Sequence, residues 1–238
     1  MKINFFVIAM LLISGSAFAQ TPPTKTDVQA PAADLQMPSG WSKSGGNPQG
    51  YDMFRDAAMH RDGKASGTIK SKPSATGFAT MMQTIKPDTY RGKRIRLSGY
   101  LKTANVTTGS SFWIRVDAPD SIIPLSFDNM GSRMAAGTSD WRKYDLVVDV
   151  PDKAAGIAIG FMLLDGGQIW ADDLKIEVVD KTVVSTNIPM TPETEAAVKQ
   201  QSAEARARNP EKFDLSLKNQ KAALEKSPLT AANLDFEK

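Results

Sequence analysis

Asp165-Gly-Gly-Gln-Ile-Trp-Ala-Asp-Asp-Leu-Lys-Ile-Glu-Val178 is the stretch that decides the fold. It opens on a Gly166-Gly167 pair, the residue chemistry of a tight turn, and continues with the alternation of a strand. A period of two puts Trp170, Leu174, Ile176 and Val178 on one face and Ala171, Lys175 and Glu177 on the other. Upstream, Gly156 to Leu164 sets Ile157, Ile159, Phe161 and Leu163 on one side, so the two segments are expected to form a hairpin with a buried face. Asp172 falls in line with the apolar residues. A carboxylate there needs an Arg partner, backbone N–H donors or a metal such as Ca²⁺.

Outward from this stretch the chain breaks into short segments separated by Gly, Pro, Asp and Asn. Tyr51–Asp56, Ala65–Ser71, Gly77–Ile85, Lys93–Thr103, Ser111–Ala118, Tyr144–Val150, Gly156–Leu164 and Gln168–Val178 read as strands. No helical period is sustained between them. The pattern is that of a mainly β protein, an antiparallel sandwich over residues 37–180. Residues 42–50 are too rich in Gly for helix or strand, and Pro119 to Trp141 reads as one long loop.

The two ends differ from this middle. Lys2, an apolar run from Ile3 to Ile13 and the Ala17-Phe18-Ala19 ending read as a secretory signal over residues 1–19. The run is short of the roughly 20 apolar residues of a spanning helix. No Cys follows it to carry a lipid. A periplasmic or secreted chain is expected, free of the membrane after cleavage, with a disordered leader over residues 20–36. Residues 181–238 form an extension. Thr191-Pro192-Glu193 and Asn209-Pro210 each supply a capping residue followed by Pro at the first helical position. Asn233-Leu-Asp-Phe-Glu237 is strand-like again and is expected to pair at the sandwich edge, within the chain or with a second molecule, burying Leu234 and Phe236.

Composition narrows the chemistry. The chain has no Cys and one His, and its formal net charge of +3 drops to +2 once Lys2 is removed. Folding must rest on core packing without disulfides. No basic cluster marks a nucleic-acid partner. A His/Cys metal centre is excluded, and His60, in the polar Met59–Gly63 turn, has no nucleophile-elbow motif to serve. The residues point to no catalytic group and no cofactor.

Candidate binding residues come from two places. If Lys93–Thr103 and Ser111–Ala118 pair through an Asn105–Ser110 loop, the non-core face collects Arg96, Tyr100, Trp113, Arg115 and Asp117. A ring among directional polar groups suits a sugar, whose C–H face stacks while Arg and Asp bind hydroxyls. A solvated face carrying an Arg–Asp ion pair is the alternative. Asp128, Asn129 and Arg133 in the long loop form the second cluster, able either to contact ligand or to bond their own turn.

Phe112-Trp-Ile-Arg-Val-Asp117, Phe127-Asp-Asn-Met130, Gly137-Thr-Ser-Asp-Trp141, Val150-Pro151, Ile159-Gly160 and Trp170-Ala-Asp-Asp173 together resemble the carbohydrate-binding-module-like, galactose-binding-like jelly-roll domains of exported bacterial proteins. The resemblance covers Gly40 to Val179. It implies a jelly-roll β-sandwich and a non-catalytic binding role for a glycan or another polar ligand. A periplasmic accessory protein that grips a protein partner through its helical tail is the other expectation. In such domains a strand close to Asn-Leu-Asp-Phe-Glu often precedes the Gly-Trp; here that string stands at the far end.

Overall fold

A computed structural model describes residues 36–119, 121–188 and 191–238. The expected signal and nearly all of the expected leader lie outside these residues. Nine strands are described: β1 (Ser42–Gly45), β2 (Tyr51–Asp56), β3 (Ser66–Ser71), β4 (Phe78–Ile85), β5 (Arg94–Asp117), β6 (Ser126–Asp128), β7 (Ala135–Asp149), β8 (Gly156–Leu164) and β9 (Gln168–Val179). Helices α1 (Pro192–Arg208) and α2 (Pro210–Lys226) follow. All strand pairings are antiparallel.

The architecture follows from β5, which is 24 residues long. Its first half pairs with β9 and β7, its second half with β8 and β6. One strand therefore belongs to two layers, β7-β5-β9-β3-β2 and β1-β4-β8-β5-β6. It changes layer around Asn105, whose φ is +53°, where the register with β7 also slips. Bends and bulges of this kind let a strand turn the corner of a sandwich. Between the layers lies a continuous apolar core. Met53, Ile69, Ile95, Leu97, Leu101, Ile169 and Leu174 come from one side, and Met81, Phe112, Ile114, Ile157, Ile159 and Phe161 from the other.

This topology corrects four expectations. Lys93–Thr103 and Ser111–Ala118 are not a hairpin, because the Thr- and Ser-rich residues between them continue the strand. Nor do β8 and β9 pair: each bonds β5 on a different half, and Gly166-Gly167 carries the chain from one layer to the other. Gly167, at φ +126°, passes so close to Val106 that a Cβ would stand 2.7 Å from its Cα. Pro119 to Trp141 holds β6 and the start of β7 rather than one loop. Ser42–Gly45 forms a short edge strand on Ala79–Met82, ending at Gly45, whose φ is +129° and where a Cβ would stand 2.5 Å from Phe78 O.

A fifth correction concerns parity. Asp173 has φ +51°, and the β5–β9 register shifts between Ser98 and Tyr100. The bulge moves the core-facing set from Ile169 and Ala171 to Leu174 and Ile176, so Trp170 and Asp172 face outward.

After β9, residues 183–188 run along the sandwich flank. Thr186 N donates to Val147 O at 2.8 Å and Ile188 N to Phe127 O at 2.7 Å. The helices begin where their caps predict: Thr191 Oγ1 accepts from Thr194 N at 3.2 Å and Asn209 Oδ1 from Lys212 N at 3.1 Å. No helix among the described residues is long and apolar enough to cross a membrane.

The C-terminal segment returns to the sandwich as a turn rather than a strand. Left-handed φ values at Asn233 and Phe236 forbid a ladder. Phe236 is nevertheless fully buried, with Leu234 half-buried beside the core. Its ring stacks on Trp41 at 5.0 Å and meets Phe161 edge-on at 5.8 Å. Gly67 makes the seat, since a Cβ there would stand 2.4 Å from the ring.

Candidate functional site

The expected face of Arg96, Tyr100, Trp113, Arg115 and Asp117 does not exist as one surface. Because β5 runs on instead of doubling back, Arg96 and Tyr100 lie on one layer and Trp113, Arg115 and Asp117 on the other. Trp113 is 1% exposed, packed with Phe78, Phe127, Ala158, Met162 and Leu164. Its Nε1 donates to Thr80 Oγ1 at 2.8 Å. It is a structural residue of a second apolar cluster, not a sugar platform. Arg115 Nε donates to Asp117 Oδ1 at 2.6 Å, and both side chains are nine-tenths buried. Arg96 is held by Glu177 at 2.8 Å.

The second expected cluster does come together, but it bonds to itself. Asp128 is fully buried; its Oδ1 accepts from Met130 N at 2.7 Å and its Oδ2 from Arg133 Nη2 at 2.6 Å. Asn129 Oδ1 accepts from Gly131 N at 3.1 Å. These side chains build the left-handed turn at Met130, the structural role open to Asx residues. His60 is exposed on the β2–β3 loop.

The surface that sequence reading missed is the outward face of β7-β5-β9-β3-β2. Pairing sets Phe54, Thr68, Trp170 and Lys102 in one row across four strands, on one face. On β7 the row ends at a bulge, where Asp140 and Trp141 stand opposite Lys102. Tyr100 belongs to the next row, paired with Asp172 and Lys143. Phe54, Tyr100 and Trp141 are half-buried, and Trp170 is 8% exposed. Phe54 and Trp170, and Trp170 and Trp141, stand on strands two apart, about 10 Å at the usual strand spacing. Phe54, Tyr100 and Trp141 keep part of their ring surface exposed on this face, and Trp170 lies nearly covered among them.

Polar groups fix this strip. Trp170 Nε1 donates to Asp56 Oδ2 at 2.8 Å, which holds the indole against the sheet. Lys102 Nζ lies 2.7 Å from Asp140 Oδ1, and that bond holds the Asp140 carboxyl below its ordinary range. The β2–β3 loop, residues 57–65, folds over one end. Asp172 Oδ2 accepts from Arg61 N at 2.7 Å and Asp62 N at 3.2 Å, and Oδ1 accepts from Asp173 N at 2.7 Å. Of the three partners open to Asp172, it takes backbone donors. Burial still pushes its carboxyl above the ordinary range, against the pull of those bonds. The Arg61 guanidinium lies 3.6 Å from the centre of the Tyr100 ring, a cation–π contact, and reaches Asp173 at 3.3 Å. Among the described residues no three His, Cys, Asp or Glu side chains converge to hold a metal ion. Tyr100 and Trp170 were visible signals in the sequence, but the Asp173 bulge that turns Trp170 outward carries none.

No family model matches the chain. An uncharacterized HTH-type transcriptional regulator, YbfP of Bacillus subtilis (strain 168), is 45% identical over 154 residues. The match takes in 63% of this chain and 52% of the regulator, so the chain spans about half the length of that relative. Among solved structures, the CBM22-1 xylan-binding domain of Paenibacillus barcinonensis Xyn10C aligns with 61% of this chain and 90% of its own, at 13% identity and TM-score 0.46. The C-terminal family 22 carbohydrate-binding module of Clostridium thermocellum Xyn10B covers 62% and 89%, at 15% identity and TM-score 0.44. TmCBM61, solved with β-1,4-galactotriose, covers 60% and 91%, at 11% identity and TM-score 0.42. At these identities and TM-scores no ligand is transferred from them.

Proposed function

We propose that this chain is an exported, non-catalytic binding module whose outward β7-β5-β9-β3-β2 face takes a glycan. The observation that carries the reading is one face bearing three part-exposed rings, Phe54, Tyr100 and Trp141, set around the nearly buried Trp170 and interleaved with Lys102, Asp140 and Arg61. Rings offer flat apolar surface to sugar C–H groups, and the charged side chains offer directional bonds to hydroxyls. The Trp170–Asp56 and Asp172–loop bonds hold the strip in place before ligand arrives, which lowers the ordering cost of binding. Calorimetry against xylo-, galacto- and gluco-oligosaccharides tests the proposal: Trp141→Ala should weaken the best ligand at least tenfold with the melting curve unchanged. Wild-type protein that binds no saccharide in the panel overturns it. Export is tested separately, by recovering from the periplasm or medium a chain that begins at Gln20.

A second reading rests on the tail. Leu215 and Leu229 are 57% and 54% exposed. Capture of a single protein by the wild-type chain, lost in Leu215→Asp, would favour an accessory role.

A further inference from the structure

Helix α2 and the sandwich share the walls of one cleft. At the C-terminal end of the helix Leu224 packs so tightly on Gly156 that a Cβ there would stand 2.2 Å from Leu224 Cδ2. Just beyond the helix, Lys86 N donates to Pro228 O at 2.8 Å, a second tether. Two turns earlier Leu217 lines the cleft and is 38% exposed. Between helix and sandwich opens a cleft of about 980 Å³. That is the size of a small-molecule site.

The walls of this cleft are amphipathic. Leu217, Leu224 and Ile122 supply apolar surface, and Lys86, Lys218 and Lys221 bring ammonium groups. Residues 217, 218, 221, 224 and 225 share one face of α2 by their spacing of three, four and seven. Arg91 also lines the cleft but is occupied, paired with Asp88 at 3.4 Å and donating to Asp152 O at 2.6 Å. Lys86, Lys218 and Lys221 make no ion pair among the described residues. Glu225 is the one further acidic residue among the lining residues. The described walls therefore carry an excess of positive charge beside an apolar floor.

We infer that this cleft binds a small amphipathic carboxylate, its aliphatic body on Leu217, Leu224 and Ile122 and its head among Lys86, Lys218 and Lys221. The site lies at the helical end of the sandwich and draws on no residue of the aromatic strip. Octanoate is the probe, followed by calorimetry and by ¹H–¹⁵N chemical shifts on the full chain, with 1-octanol as the neutral control. Octanoate should bind saturably, and 1-octanol at least tenfold more weakly. The double variant Lys218→Glu, Lys221→Glu should weaken octanoate at least tenfold while keeping the wild-type melting temperature, because both side chains are exposed. Leu217→Asp, also exposed, should do the same. No saturable octanoate binding, equal binding of octanol, or affinity unchanged in the double variant overturns the inference. Trp141→Ala should leave octanoate binding intact, so the failure of one site is separable from failure of the other.

Discussion

Phe236→Ala tests whether the last residues of the chain belong to the core. Phe236 is fully buried in a seat made by Trp41, Phe161 and Gly67. Truncating a buried Phe to Ala costs about 3–5 kcal/mol, the transfer of the ring plus the cavity it leaves. That range takes in the stacked and edge-on ring contacts, each worth about 0.5–1.5 kcal/mol beyond area. In a domain of this size, 1 kcal/mol moves Tm by about 2–4 °C, so the variant should melt roughly 6–20 °C below wild type. Deleting residues 231–238 should cost more. It also removes the Asn233 carbonyl that accepts from Trp41 Nε1 at 3.0 Å and the Phe236 carbonyl that accepts from Arg55 Nε at 2.7 Å. Circular dichroism melts and urea titration read both. Leu229→Ala, at an exposed position, is the control and should stay within about 0.5 kcal/mol. A Phe236→Ala variant that melts within 2 °C of wild type would refute the seating of this segment.

Trp113→Ala should destabilise by about 3–5 kcal/mol, since the indole is buried, with no selective loss of saccharide affinity in the folded fraction. Asp172 has its folded-state carboxyl raised by burial, so its contribution to stability is present in full below the ordinary carboxylate range and is lost as pH rises through the raised value. The stability of wild type relative to Asp172→Leu, from urea unfolding between pH 3 and 8, should therefore decline with rising pH over that window. Tyr51, buried and hydrogen-bonded to Gly77 O at 3.0 Å, has its hydroxyl pushed up to about 12 by burial and by Asp165. Its share of stability holds below the ordinary phenol range and fades as pH climbs toward 12; Tyr51→Phe should lose that dependence, read by unfolding between pH 9 and 12.

The layered β architecture was legible because alternation and turn residues are local signals. The sequence bounds of Tyr51–Asp56 and Gly156–Leu164 coincide with those of β2 and β8. Connectivity was less so. Asn105–Ser110 reads as a loop, yet the β-branched Val106, Thr107 and Thr108 suit a strand equally well, and only pairing with β7 and β8 decides between them. A bulge is harder still. One residue in the left-handed region at Asp173 reverses every later side chain of β9, and Asp is as common in turns as in bulges. A site built on an Asn105–Ser110 loop therefore joins residues of two layers, although Tyr100 and Trp170 stand out in the sequence as aromatic residues on strands. Asp128 and Asn129 illustrate the opposite case, where a turn that bonds its own backbone has the same residues as a binding loop.

The four tryptophans allow one direct measurement of the proposed glycan site. Trp41, Trp113 and Trp170 donate their indole N–H to Asn233 O, Thr80 Oγ1 and Asp56 Oδ2, and Trp141 lies on the outward bulge of β7. A ¹H–¹⁵N spectrum resolves the indole signals during titration with the best oligosaccharide. Binding on the outward face shifts Trp141 and Trp170 in a saturable way and leaves Trp41 and Trp113 in place. Saturable binding that moves Trp113 while Trp141 and Trp170 stay fixed would contradict it.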